Sequence, residues 1–259
     1  MLIGWCGTID QAGLFKSTGY DYIELPLAAQ ALEGSEAERR TCREAIVASP
    51  LPTLAFNYFF PRDLAIVGEK IDRARLDTYL ARSAELLAAA KARVTVMGSA
   101  WARNVPDGFD RQRAEAQILD ALSLCADRLA GTGCTLVIEP LCRQESNIIN
   151  SVSEGVAYAR KINRREIRVL ADFFHMDEES EPFETLIENK DWLAHVHLAD
   201  TGRFNPGSGQ YPYAAFFEQL RKSGYDGTMS CECKTRDSET DMRASAQYLR
   251  RHWPCPTTN

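Results

Sequence analysis

The chain has 259 residues, 45% of them hydrophobic and 25% charged, with a formal net charge of -6. This is the balance of a soluble globular domain, and the length accommodates one large α/β barrel. An acidic chain is a poor match for nucleic acid, and no apolar run approaches the ~20 residues that span a bilayer, so neither nucleic acid nor membrane is expected as a partner.

The chain opens with MLIGWCGTID, which lacks the basic start and long apolar stretch of a secretory signal, so a cytoplasmic location is expected. Short β-type runs then recur at residues 2–6, 22–25, 53–57, 94–97, 135–139, 168–172, 194–198 and 228–232. Helical spacing fills the gaps, with Leu76, Leu80 and Leu87 in one segment and Ile118, Leu122, Cys125 and Leu129 in another, which Gly131 and Gly133 stop. Eight strand-helix beats without a flexible linker predict a single (β/α)8 TIM barrel over residues 1–259, ahead of a doubly wound open sheet. The tail HWPCPTTN reads as a loose end. The eight cysteines, Cys255 included, are scattered without a C-x-x-C pair, so free and mostly buried thiols are expected.

In a barrel of this kind the site is built where strands end, so the closing residues matter most. The fifth predicted strand ends at Glu139, the sixth at Asp172, the seventh reaches His197 and the eighth carries Glu232. One such carboxylate alone would be a solvated or salt-bridged group. Three carboxylates and an imidazole around one mouth would repel each other unless a cation sat among them. The set is oxygen-rich and hard, which suits one divalent metal, Mn2+ first, then Mg2+ or Co2+, with Zn2+ behind them. Such an ion makes the hydrogen on a carbon beside a carbonyl acidic. Glu139 and Glu232, approaching from different sides of the ring, would form an acid/base pair that removes and returns it through an enediolate.

These residues, together with Asp172-Phe-Phe-His175, His195-Val-His197-Leu-Ala-Asp200, Arg203, NPGSGQYPY, RNVPDGFD and GYDG, resemble the xylose isomerase-like sugar isomerase/epimerase superfamily, and ketose 3-epimerases within it. The resemblance covers nearly the whole chain. It implies that Glu139, Asp172, His197 and Glu232 hold the metal and that the two glutamates move the proton. It also implies substrate-hydroxyl contacts for Glu145, His175 and Arg203, which stand six, three and six residues after the first, second and third ligands. The expected activity is C3 epimerisation of a free ketose, in a homodimer or homotetramer. His175 could also be a structural histidine or a ligand through Asp172-x-x-His175.

Other residues have a plainer reading beside the functional one. His195 shares the face of His197 and is expected deeper in the barrel, as core or as support for the ligands. Cys231 and Cys233 should face the helices. Trp5, Asn57, Phe59 and Trp101 lie near earlier strand ends, where aromatics are more often core than a sugar-binding wall; of these, Trp101 is the candidate substrate contact. The glycines at 207 and 209 carry no basic residue between them, which favours a free sugar over a sugar phosphate. An aldose-ketose or hydroxypyruvate-type isomerase is the nearest rival activity, followed by a dehydratase on an inosose- or shikimate-like substrate. A non-catalytic sugar-binding barrel would have no use for two glutamates paired across a metal. An apurinic endonuclease with several zinc ions would need more histidines early in the chain, and the first one here is His175.

Overall fold

A computed structural model describes residues 1–253; the expected loose tail is not loose at its start, where His252 ends a helix and Trp253 packs on Phe217, and the rest of it, Cys255 included, lies outside the described residues. Eight strands run β1 (Leu2–Cys6), β2 (Tyr22–Pro26), β3 (Thr53–Asn57), β4 (Val94–Met97), β5 (Thr135–Ile138), β6 (Ile167–Asp172), β7 (Leu193–Leu198) and β8 (Thr228–Cys231). Each pairs in parallel with its neighbours in chain order, and β1 closes on β8. The fold is therefore the closed (β/α)8 barrel, not an open sheet. Among the described residues no helix is long and apolar enough to cross a membrane.

Local chemistry sets the helix boundaries. Asp72 and Asp110 cap the helices Arg73–Ala90 and Arg111–Leu129 by accepting the amides of Arg75 and Arg113, and Ser35 with Glu38 makes a capping box on Glu36–Val47. The expected stripe of Leu76, Leu80 and Leu87, with Ile118, Leu122, Cys125 and Leu129, is buried in the shell between strands and helices. A second, smaller apolar cluster fills the barrel itself, with Tyr22, Ala55, Val94, Val96, Val137 and Leu170. Gly4 makes room for it: a Cβ there would lie 2.3 Å from the Tyr22 ring, which crosses the barrel to bond the Met229 carbonyl and the Ser230 hydroxyl. This apolar floor leaves polar groups only the upper end.

Three strands end one residue away from expectation, β2 running on to Pro26. β5 stops at Ile138 and β8 at Cys231, so Glu139 and Glu232 are the first residues beyond them. Their amides still reach the neighbouring strands, Glu139 to the Met97 carbonyl at 3.3 Å and Glu232 to that of Leu198 at 3.1 Å. The side chains thus leave the ladder while the backbone stays anchored.

The cysteines of the described residues are free, four of them buried and three partly so. Cys231 packs in the outer shell as expected, and Cys233 is partly buried against it. Trp5 packs on Phe15 and Tyr20, and Phe59 packs on Phe60 and Tyr79, so both belong to the core and not to a sugar wall.

Candidate active site

The ends of β5 to β8 bring Glu139, Asp172, His197 and Glu232 together: each offers a ligand atom, all within 4.8 Å of one another. His197 Nδ1 lies 3.0 Å from Glu139 Oε1, 3.7 Å from Glu232 Oε2 and 3.8 Å from Asp172 Oδ2. Asp172 also starts the short helix Phe173–Glu178, where its Oδ1 accepts the amides of Phe174 and His175. That leaves Oδ2 facing the cluster. Gly98, just past β4, provides space for Glu139, since a Cβ there would sit 1.8 Å from Glu139 Oε2.

The environment is strongly negative. Burial, then the charge of Glu232, raises the pKa of Glu139. Burial works against protonation of His197, yet Glu24, Glu232 and Glu139 hold its pKa well above the ordinary imidazole range. Asp172 is opposed by burial but kept below the usual carboxylate range by the His175 amide it accepts, by Arg203 and by His197. Three converging carboxylates with one nitrogen are the donor set of a hard divalent cation, and the residues fit such an ion.

Several groups that the sequence reading passed over hold this cluster in place. Glu24, in the middle of β2, is wholly buried and takes His197 Nε2 at 2.9 Å and His195 Nε2 at 3.0 Å. Burial keeps His195 below the ordinary imidazole range, while, against its own burial, Glu24 is held below the usual carboxylate range by the two imidazoles. His195 Nδ1 meets the Thr228 hydroxyl at 2.8 Å, as befits a residue supporting the ligands from beneath. Arg103, fully buried, donates to the carbonyls of Met97 at 2.8 Å and Glu139 at 2.6 Å, fastening the ends of β4 and β5. Asn57 Nδ2 donates to Glu232 Oε1 at 3.0 Å. The signal for Glu24 was a carboxylate within the apolar run YIELP, two residues from Tyr22 and so on the same inner face.

The expected substrate contacts gather at the rim. Arg203 Nη2 lies 2.6 Å from Glu232 Oε2 and its Nη1 2.9 Å from Glu145 Oε1, so it bridges the cluster and the loop after β5. Its guanidinium stacks 4.9 Å from the Phe174 ring, and its backbone is left-handed at φ 62. His175 Nδ1 accepts the Cys142 amide at 3.2 Å, which puts the proton on Nε2, and Nε2 is buried with no partner in the protein. In that tautomer His175 is a hydrogen-bond donor, although its ring also lies with Cys142 and Glu145 in a second group of ligand-type atoms. Trp101 gives its indole N–H to the Phe60 carbonyl at 3.1 Å and stacks on Tyr58, with ring centroids 5.9 Å apart.

A cavity of about 230 Å³ opens beside the cluster, bordered by Cys6, Pro26, Asn57, Tyr58, Glu232 and Cys233. The glycines at 207 and 209 wrap a different anion, the Asp200 carboxylate, which accepts the amides of Thr201, Gly207 and Tyr211. That loop is held by protein, not arranged for phosphate.

A family model described as xylose isomerase-like TIM barrel matches residues 13–252. The 3-dehydro-D-guloside 4-epimerase of Escherichia coli (strain K12) is 31% identical over 197 residues, 71% of this chain and 74% of that protein. The ketose 3-epimerase of Arthrobacter globiformis is 31% identical over 113 residues, 43% of this chain and 39% of its own length. Among solved structures, the apo 3-keto-D-glucoside 4-epimerase from E. coli superposes with a TM-score of 0.81 at 27% identity, covering 97% of this chain and 99% of that one. These relatives are named epimerases acting on sugars.

Proposed function

The chain belongs to the xylose isomerase-like TIM barrel family, and from that membership we propose that it is a divalent-metal-dependent isomerase that inverts the carbon next to the ketone of a sugar. The observation that carries this is the meeting of two glutamates, from the ends of β5 and β8, at one four-residue ligand cluster. Glu139, Asp172, His197 and Glu232 would hold the ion, with Mn2+ the first choice for so oxygen-rich a set. When bound, it supplies Lewis-acid polarisation of the ketone and the adjacent hydroxyl.

The chain's own groups do the rest. One of Glu139 and Glu232 takes the proton from the carbon beside the ketone, and the other returns it to the opposite face, the order following the configuration of the substrate. Asn57 and Arg203 keep the Glu232 carboxylate aimed, while Arg103 fixes the backbone from which Glu139 projects. Glu145, Arg203 and the free Nε2–H of His175 are placed to hold hydroxyls on either side of the reacting carbon.

A free ketose inverted at C3 is the substrate the sequence suggests. A second reading, inversion at C4 of a 3-keto glycoside, is favoured by the similarity to the E. coli guloside 4-epimerase, which spans 74% of that enzyme's length. Both are tested by incubating the Mn2+-loaded protein in deuterated water with ketoses and with 3-keto glycosides and locating the label by NMR. Label beside the ketone with inversion is expected. Label at C1 or C2 with an aldose product would mark a 1,2-isomerase, and loss of water a dehydratase. Glu232→Gln should lower exchange by roughly 10²–10⁴-fold, and undiminished turnover in that variant would end its assignment as a proton carrier.

A further inference from the structure

The large exposed hydrophobic side chains among the described residues are Val47 and Tyr58. Val47 ends the helix that leads back towards the start of β3, at the far end of the barrel from the site. Tyr58 is the first residue after β3, on the site side, and borders the same cavity as Glu232. The residue is 47% exposed.

The chain goes to some length to hold Tyr58 there. Its backbone is left-handed, with φ 44, a region that disfavours bulky side chains. The Tyr58 carbonyl is held by the Ala28 amide at 3.0 Å, and the following Phe59 and Phe60 are buried and cannot yield. Behind Tyr58 the Trp101 ring lies nearly parallel at 11°, and the Arg62 guanidinium is 4.8 Å from the Trp101 ring centroid. Tyr58 thus rests parallel to Trp101 at the mouth, with Arg62 beside the same indole. Of the groups that would act on the reacting carbon, Glu139 is buried and Glu232 is partly exposed to the cavity that Tyr58 borders. A single sugar seated at the carboxylates would leave this half-exposed aromatic at the mouth uncovered, whereas a flat second ring attached to that sugar would cover it.

We propose that Tyr58, backed by Trp101, is a stacking platform for the ring aglycone of a glycoside whose keto sugar reacts at the carboxylate cluster. The substrate class is then a keto glycoside carrying an aryl or glycosyl ring. The assignment of the reacting end rests on the function proposed above; the platform itself is open to test without turnover.

The probes are phenyl and methyl 3-keto-glucoside for kinetics, and phenyl and methyl glucoside for binding by saturation-transfer NMR. In the parent protein kcat/KM should favour the phenyl over the methyl substrate by roughly three- to tenfold, the increment of one aromatic contact, mainly through KM. Tyr58→Asn removes the ring while suiting the left-handed backbone, and should bring that ratio to about one; Tyr58→Phe should preserve it. Saturation transfer to the phenyl protons of the unreactive glucoside should be present in the parent and lost in Tyr58→Asn. An equal preference in the parent, or a ratio and transfer that survive in Tyr58→Asn, overturns the platform. Binding of phenyl glucoside without exchange on either keto glycoside would leave the platform standing and defeat the epimerase assignment instead.

Discussion

Glu24 Oε1 lies 2.9 Å from His197 Nε2, with both side chains wholly out of contact with solvent. Donation from Nε2 to this carboxylate fixes the ring plane and turns Nδ1 towards Glu139, Asp172 and Glu232. Glu24 is therefore a positioning residue one layer beneath the cluster. Glu24→Gln should weaken Mn2+ binding by roughly 10–100-fold while leaving the circular-dichroism spectrum unchanged. Calorimetric titration gives the affinity, and an unaltered value would show that His197 needs no such partner.

Gly98→Ala places a methyl group where the Glu139 carboxylate now lies, since the nearest atom to a Cβ there is Glu139 Oε2. Because the displaced atom is the tip of a side chain, the fold should tolerate the change. The cost should fall on the ligand cluster, with a loss in metal affinity of about tenfold or more. A thermal melt alongside a Mn2+ titration separates the two effects; equal affinity in both proteins would mean that Glu139 does not need that position.

Arg103→Met leaves the buried Glu139 carbonyl without its donor and takes one of two donors from the Met97 carbonyl, which keeps the Glu139 amide. Stability should drop by roughly 1–3 kcal/mol, the cost of one orphaned buried acceptor. Urea denaturation measures this. Turnover should fall as well, because the carbonyl that Arg103 holds belongs to Glu139, one of the two proposed proton carriers.

Glu181 accepts the Val152 amide at the start of the helix Val152–Ile162. Burial, reinforced by Glu154, pushes its pKa up to about 7. A folded-state value above the unfolded one means that the native protein binds the proton more tightly. Its contribution to stability is full below the ordinary glutamate range and is lost as pH rises through about 7. Denaturation midpoints at about pH 5 and about pH 8 should therefore differ less in Glu181→Gln than in the parent.

The alternation of short apolar runs with helical spacing was enough to reach the barrel, because strand and helix periods are local properties. Glu139, Asp172, His197 and Glu232 were legible for a related reason: the fold itself dictates that strand ends converge. Glu24 and Arg103 were not, since their importance depends on partners 173 and 36 residues away that only the closed ring brings near. The one-residue error at Glu139 and Glu232 is of the same kind, as composition cannot show where a side chain leaves the ladder. Trp5 and Phe59, at strand ends like Asn57, turn to the helix side, a choice made by the pleat and invisible to residue type.

Asp172 spends one oxygen on the amides of Phe174 and His175 and keeps the other for the cluster. Whatever steadies that carboxylate also steadies the first turn that follows β6. By mass action a cation seated there should slow hydrogen exchange at those two amides and, through the same turn, hold the His175 imidazole in place before any sugar arrives. Metal loading and the readiness of the rim would then be one equilibrium rather than two.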